Sequence, residues 1–179
     1  KRHVLFVGRS DPYKNLVQLI EAFSKVISKL PFPVQLTIAG SPDPRYPEPQ
    51  KAVEKNAISN HVHWAGYIND ETLATLYRES DVLVHPSRYE GFGLQVAEAM
   101  ASGLPVICSN AGSLPEVTGD ATLTVSPDDQ EGLKQSIIKV LTDSKLAANL
   151  AAKGIERSKR FTWHKTAYET LKVYEQFTK

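Results

Sequence analysis

The chain has 179 residues, enough to bury one substantial core and consistent with one domain. Twenty-one Lys and Arg against twenty Asp and Glu leave a formal charge of +1, which excludes bulk attraction to nucleic acid or anionic lipid and makes any anion site a local one. A single cysteine, Cys108, excludes an internal disulfide, and no Cys/His cluster has zinc spacing.

These features, the absence of a bilayer-length apolar run and a start (KRHVLFVGRS) that passes from charge into strand without a signal peptide, point to the cytoplasm. The chain lacks an initiator Met and opens on a core strand, as expected of a piece of a longer protein.

In chain order, the apolar runs at 3–8, 34–40, 61–66, 81–87, 105–110 and 121–126 read as six strands, several without alternation, as expected where both faces are covered. After the first strand, Leu16, Leu19, Ile20, Phe23, Val26, Ile27 and Leu30 recur at helical spacing, with Glu21, Lys25 and Lys29 opposite. Further helices are expected over 48–57, 70–79, 93–102 and 129–142, then two C-terminal helices over 145–159 and 163–177. SPDPRYPEPQ, with four prolines in ten residues, is a loop. The alternation predicts a doubly wound α/β domain: a parallel six-stranded Rossmann-like sheet with helices on both faces, plus C-terminal helices.

Ligands bind such sheets where loops leave the carboxyl ends of the strands, which directs attention to 8–15, 39–47, 65–70, 85–93 and 109–117. In GRSDPYKN, Arg9 and Lys14 both reach that rim. A cation at the start of a helix is an electrostatic mismatch unless an anion accompanies it, and a diphosphate would satisfy both side chains. In HPSRYEGFGLQ, Gly91 and Gly93 flank Phe92 and permit a tight turn ahead of a helix whose first amides favour an anion. Two solvated cations and a plain strand-to-helix turn remain the alternative for each loop alone.

Glu98 lies in VAEAMA, a run apolar nearly all round, so the helix is expected to be buried and its carboxylate to need hydrogen-bond donors. Ribose hydroxyls, a lysine or a backbone amide would each serve. Glu90, ahead of the same helix, could likewise accept from sugar hydroxyls. His85 next to Pro86 is a weaker candidate for contact with the ligand. The last helix carries Trp163, Ala167, Leu171 and Tyr174 at helical spacing and reads as a docking helix.

Together, VGRSDPYKNLVQLIEAF, AGYINDETLATLY and the long stretch from His85 to Asp129 resemble the C-terminal donor-binding domain of the family-four retaining glycosyltransferases of GT-B fold. Glu90 and Glu98, seven residues between them, match that family's paired glutamates. The resemblance implies that Arg9 and Lys14 hold the diphosphate and stabilise it as it leaves, that Glu90 contacts the hexose, and that Glu98 binds the ribose. It also implies that the amides of Gly91, Phe92, Gly93 and Leu94 hold sugar or phosphate, and that Gly66, Tyr67 and Ile68 line the base pocket. Gln95 stands where the family often has proline.

The resemblance further implies a nucleoside diphosphate sugar as donor substrate, with no cofactor. The acceptor, a saccharide or glycolipid, would be held by an N-terminal domain absent from this chain. The full-length enzyme would associate peripherally with the inner face of the membrane in polysaccharide assembly, and the isolated domain would transfer sugar poorly or not at all. The chain has no Asp-x-Asp, so a metal-bridged diphosphate is not suggested. Two readings compete: a non-catalytic nucleotide-sugar-binding module, and another GT-B-like enzyme such as an epimerase. A dinucleotide-dependent oxidoreductase is disfavoured because the first strand runs into GRSDPYKN rather than GxGxxG.

Overall fold

A computed structural model describes residues 1–177. Six strands form one parallel sheet: β1 (Arg2–Val7), β2 (Val34–Ala39), β3 (Val62–Gly66), β4 (Val82–His85), β5 (Val106–Ser109) and β6 (Leu123–Val125). The helices are α1 (Leu16–Ile27), α2 (Glu48–Lys55), α3 (Asp70–Glu79), α4 (Leu94–Ala101), α5 (Leu114–Thr118), α6 (Gln130–Thr142), α7 (Ser144–Ser158) and α8 (Trp163–Glu175). All six expected strands and all seven expected helices are present, with ends that match or move by a few residues at most. The addition is α5, inside the expected loop 109–117, where Pro115 occupies the first turn, a place in which its missing N–H costs nothing.

The strand order is β3-β2-β1-β4-β5-β6. The chain therefore winds outward from β1 in one direction, returns, and winds outward from β4 in the other. Between these two neighbours the connecting loops depart to opposite sides and leave a crevice at the carboxyl edge, the ligand position of doubly wound sheets.

Each face of the sheet carries its own core. On one face Val4, Phe6, Leu36, Val84 and Ile107 pack with Leu19 and Phe23 of α1, Val53 of α2 and Leu133 and Ile137 of α6. On the other, Leu5, Leu83, Val106 and Cys108 pack with Tyr77 of α3, Val96, Ala99 and Met100 of α4, and Leu114 and Val117 of α5. Cys108 is fully buried, and that burial pushes its thiol up to about 11, so it behaves as a small apolar side chain. Among the described residues no helix is long and apolar enough to cross a membrane.

The final helix, α8, buries none of its residues: Trp163, Leu171 and Tyr174 are 78%, 54% and 64% exposed.

Candidate functional site

The loop after β1 enters a single 3-10 turn over Pro12–Lys14, with the φ of Pro12 preset for the turn. Asn15 then takes a left-handed conformation (φ 59°) before α1 begins. Lys14 is thus the last residue of that turn, not the first of the following helix, and it is directed inward with only 8% exposure. Its Nζ donates to Glu90 Oε1 at 2.7 Å and sits 5.2 Å from the centre of the Tyr13 ring.

Glu90 comes from the loop after β4, on the other side of the crevice. Its backbone carbonyl accepts from the amide and the hydroxyl of Ser113, at 3.2 and 3.0 Å. Gly112 lies so close that a Cβ there would fall 2.8 Å from the Glu90 carbonyl oxygen, and its φ of +59° also favours glycine. The Glu90 carboxylate is nearly buried, at 11% side-chain exposure, and Oε1 also lies 2.8 Å from Nε2 of the wholly buried His85. Burial alone would raise the Glu90 carboxyl, but hydrogen bonds from His85, Lys14 and Ser87 outweigh it and hold the group down at about 2.

Two sequence expectations change here. The electrostatic mismatch at Lys14 is resolved within the protein by Glu90, rather than left for a ligand alone. Glu90 in turn already holds Lys14 and His85, so it is not an unengaged acceptor waiting for hydroxyls. Arg9, the second cation, is exposed and ion-paired with Asp11, its Nε 2.8 Å from Oδ2. The rim thus presents two cations, each carrying a shielded carboxylate: Arg9 is itself exposed, whereas Lys14 is enclosed with its partner.

Glu98 corrects a further expectation: it is exposed, because α4 turns only Val96, Ala99 and Met100 fully into the core. The small residues Ala97 and Ala101 share the outer side with it. Its Oε2 accepts from the hydroxyl of Tyr77 at 2.9 Å. That hydroxyl is held protonated well above its ordinary range, first by burial and then by the neighbouring Glu98 charge. Glu98 lines an apolar groove of about 700 Å3 with Phe92, Leu94, Ala97, Trp163 and Thr166, between α4 and α8.

Gly93 adopts φ +88° immediately before α4, a conformation that strains other residues, and a Cβ there would lie 2.6 Å from Leu114 Cδ2 and force that side chain to shift. At Gly91 an added Cβ would meet nothing, so packing does not demand that glycine. In the first turn of α4 the amides of Val96 and Ala97 bond the Gly93 carbonyl at 3.0 and 3.2 Å, which leaves those of Leu94 and Gln95 at the helix end to suit an anion. Phe92 and Leu94 are exposed beside them. Farther along the rim, Gly66 has φ +67°, Tyr67 is 89% exposed and Ile68 packs partly into the second core, so only Tyr67 of that trio stands fully open.

Sequence reading passed over Asn15, which binds three loops together: its amide donates to the Pro86 and Pro127 carbonyls at 3.2 and 2.8 Å and to Gln18 at 3.1 Å. A polar residue directly before an apolar helical run was the available signal. Tyr77 was hidden inside the apolar face of α3, and Ser113 inside an apparent loop.

The model of the family described as glycosyl transferases group 1 matches residues 1–157, which takes in the rim residues from Arg9 to Ser113 and leaves α8, with Trp163 and Thr166, outside. The chain is 33% identical over 173 residues to O-antigen chain mannosyltransferase B of Escherichia coli, covering 97% of this chain and 45% of the relative. It is 33% identical over 178 residues to the phosphatidyl-myo-inositol mannosyltransferase of Mycolicibacterium smegmatis, with the same coverage of 97% and 45%. Among solved structures, sucrose-phosphate synthase from Thermosynechococcus elongatus superposes with a TM-score of 0.86 at 33% identity, over 99% of this chain and 45% of that one.

The C-terminal domain of a glycosyl transferase group 1 family protein from Francisella tularensis superposes with a TM-score of 0.80 at 28% identity, over 89% of this chain and 85% of that one. The chain spans about half the length of the curated relatives it matches. By the family match over most of its length and the identity with these relatives, the chain belongs to the glycosyl transferases group 1 family.

Proposed function

We propose that this chain is the nucleotide-sugar-binding part of a retaining, metal-independent glycosyltransferase. The enzyme takes a hexose of mannose or glucose type from a nucleoside diphosphate sugar and passes it to a saccharide or glycolipid acceptor. The observation that carries this reading is the Lys14–Glu90 pair, 2.7 Å across the crevice where the two halves of the sheet diverge. Exposed Arg9 stands on the same loop, and the open first turn of α4 follows Glu90.

A diphosphate entering the crevice offers Lys14 a more highly charged partner than Glu90. As the glycosidic bond of the donor breaks, negative charge accumulates on the departing diphosphate, and cations already in place lower that barrier. Arg9 and Lys14 supply them, which is the support for proceeding without a metal. Glu90, relieved of Lys14, has its carboxylate free to accept from hexose hydroxyls. Glu98, exposed and steadied by Tyr77, accepts from the ribose.

The names of the 33% identical relatives support a mannose-type hexose. The acceptor side of the cleft belongs to the other half of such enzymes, so this chain alone binds donor and transfers sugar poorly. The test is calorimetry of the chain with GDP, UDP, GDP-mannose and UDP-glucose in the presence of EDTA. Binding of at least one diphosphate pair that survives chelation is the expected result. Absence of binding, or binding abolished by EDTA, contradicts the proposal.

A further inference from the structure

We infer that His85 is a positioning residue that holds the Glu90 carboxylate in place when the donor draws Lys14 away; the inference rests on the nucleotide-sugar reading above.

Three observations lead there. His85 ends β4, is wholly buried, and reaches out of the sheet to the rim. Its Nε2 lies 2.8 Å from Glu90 Oε1, the same oxygen that Lys14 engages at 2.7 Å. Its other ring nitrogen, Nδ1, is buried without a hydrogen-bond partner.

The first two settle the direction of the bond. A carboxylate held down at about 2 is ionised under all ordinary conditions and can only accept, so Nε2 carries a hydrogen and donates it whether the ring is neutral or charged. Ser87 Oγ, 3.2 Å from the same Nε2, steadies the ring from its own loop. The third observation argues against a packing role. An apolar side chain would fill this position without leaving a buried ring nitrogen unpaired, and such a nitrogen is a cost that needs an explanation. The explanation offered by the geometry is the Nε2–H itself.

Lys14 and His85 hold the same oxygen, but they differ in what a diphosphate does to them. An ammonium on a flexible stem follows the greater negative charge, whereas a ring fixed in the sheet and fully enclosed does not. When the donor arrives, the Lys14 contact is exchanged and the His85 contact persists. Glu90 then stays where the hexose must find it, instead of swinging away from the phosphates that repel it. His85 thereby acts on the sugar part of the ligand and not on its nucleotide part.

The test compares affinities for nucleoside diphosphate and nucleoside diphosphate sugar, with GDP and GDP-mannose and with UDP and UDP-glucose, in wild type, His85→Leu, His85→Gln and His85→Asn. Leucine removes the donor; Gln presents its NH2 near the place of Nε2, and Asn near that of Nδ1. His85→Leu is expected to lose roughly ten-fold in affinity for the nucleotide sugar while changing diphosphate affinity less than about two-fold, and His85→Gln to restore the sugar preference.

Should the leucine variant fail to fold, the Gln and Asn variants decide: preference kept in Gln and lost in Asn supports the role, and the same result in both overturns it. A leucine variant that keeps the wild-type ratio, or that weakens both ligands equally, also overturns it. Wild-type protein that binds neither ligand overturns the reading of the site and the role of His85 with it. Wild-type binding with an unaltered ratio in His85→Leu removes the role of His85 alone.

Discussion

Lys14 Nζ and Glu90 Oε1 stand 2.7 Å apart although 76 residues separate them in the chain. They meet because β1 and β4 are neighbours in the sheet while their loops leave in opposite directions. The pair is shielded, with 10% and 11% side-chain exposure, so its charges interact in a medium well below the dielectric of water. Removing one partner therefore strands the other, which is the costly case for buried ion pairs.

The acid dependence of stability follows with a definite sign. The Glu90 carboxyl is lowered from 4.5 to about 2 in the folded chain, so the folded state resists a proton that the unfolded state accepts. The contribution is complete above 4.5 and is lost as pH falls from 4.5 toward 2, and it amounts to no more than about 3 kcal/mol. Glu90→Gln lacks it and also leaves the Lys14 charge without a counter-charge. Urea unfolding should place the variant about 1–3 kcal/mol below wild type at pH 7, with the gap closing as pH falls through that window. A gap independent of pH between 7 and 3 would refute the assignment.

The same variant should separate the two ligands. Glu90→Gln frees Lys14 for the diphosphate and removes the acceptor for the hexose. Nucleoside diphosphate is then bound several-fold more tightly and the nucleotide sugar loses its advantage, by an amount on the order of ten-fold. Glu98→Gln should behave differently. It still accepts from Tyr77, so thermal stability stays within about 0.5 kcal/mol of wild type, but both ligands lose roughly ten-fold because both carry the ribose. Calorimetry on the two variants with both ligands checks the division, and equal losses throughout would end it.

Much of this was legible in the sequence, for physical reasons that also explain the gaps. Continuous apolar runs such as VLFV and VLVH announce strands covered on both faces, and all six lie where the pattern puts them. Strand order carries no such local mark, so the crevice between β1 and β4 came only with the structure. Lys14 stood out as a misplaced cation, yet its partner could not be read because Glu90 belongs to a different loop. Glu98 was misjudged from composition: alanine is as much at home outside a helix as inside, and VAEAMA needs only Val96, Ala99 and Met100 to cover its sheet. The proline in SLPEV reads as a breaker in isolation, but at Pro115 it starts α5.

Asn15 should carry more stability than its surface-like residue type suggests. Its amide spans the loops after β1, β4 and β6 through the Pro86 and Pro127 carbonyls, and its own backbone sits at φ 59°, where Asn is tolerated and most residues are not. Asn15→Ala loses the hydrogen bonds and strains the backbone, and should cost about 2–4 kcal/mol. Asn15→Gly relieves only the strain and should recover about 1 kcal/mol of that loss. Thermal or urea unfolding of the two variants distinguishes the terms, and a loss below about 1 kcal/mol in Asn15→Ala would mean that the loops hold one another without it.

Gly112→Ala tests whether the position of Glu90 is set from behind. The added methyl would lie 2.8 Å from the Glu90 carbonyl oxygen and 2.9 Å from its amide nitrogen, both backbone atoms that cannot rotate away, at a φ of +59° that alanine disfavours. Relief must come from displacing the Glu90 backbone, which also carries the bonds from Ser113. The displacement moves Oε1 relative to Lys14 and His85, whose own positions are fixed by the 3-10 turn and by β4. The variant should therefore lose about 1–3 kcal/mol of stability and, beyond that, bind nucleotide sugar at least roughly ten-fold more weakly at temperatures where it is fully folded. Chemical denaturation and calorimetry measured side by side separate the two effects. A variant that is destabilised but binds nucleotide sugar as wild type would show that Glu90 is placed by its contacts in front, to Lys14 and His85, rather than by the Gly112–Ser113 backbone.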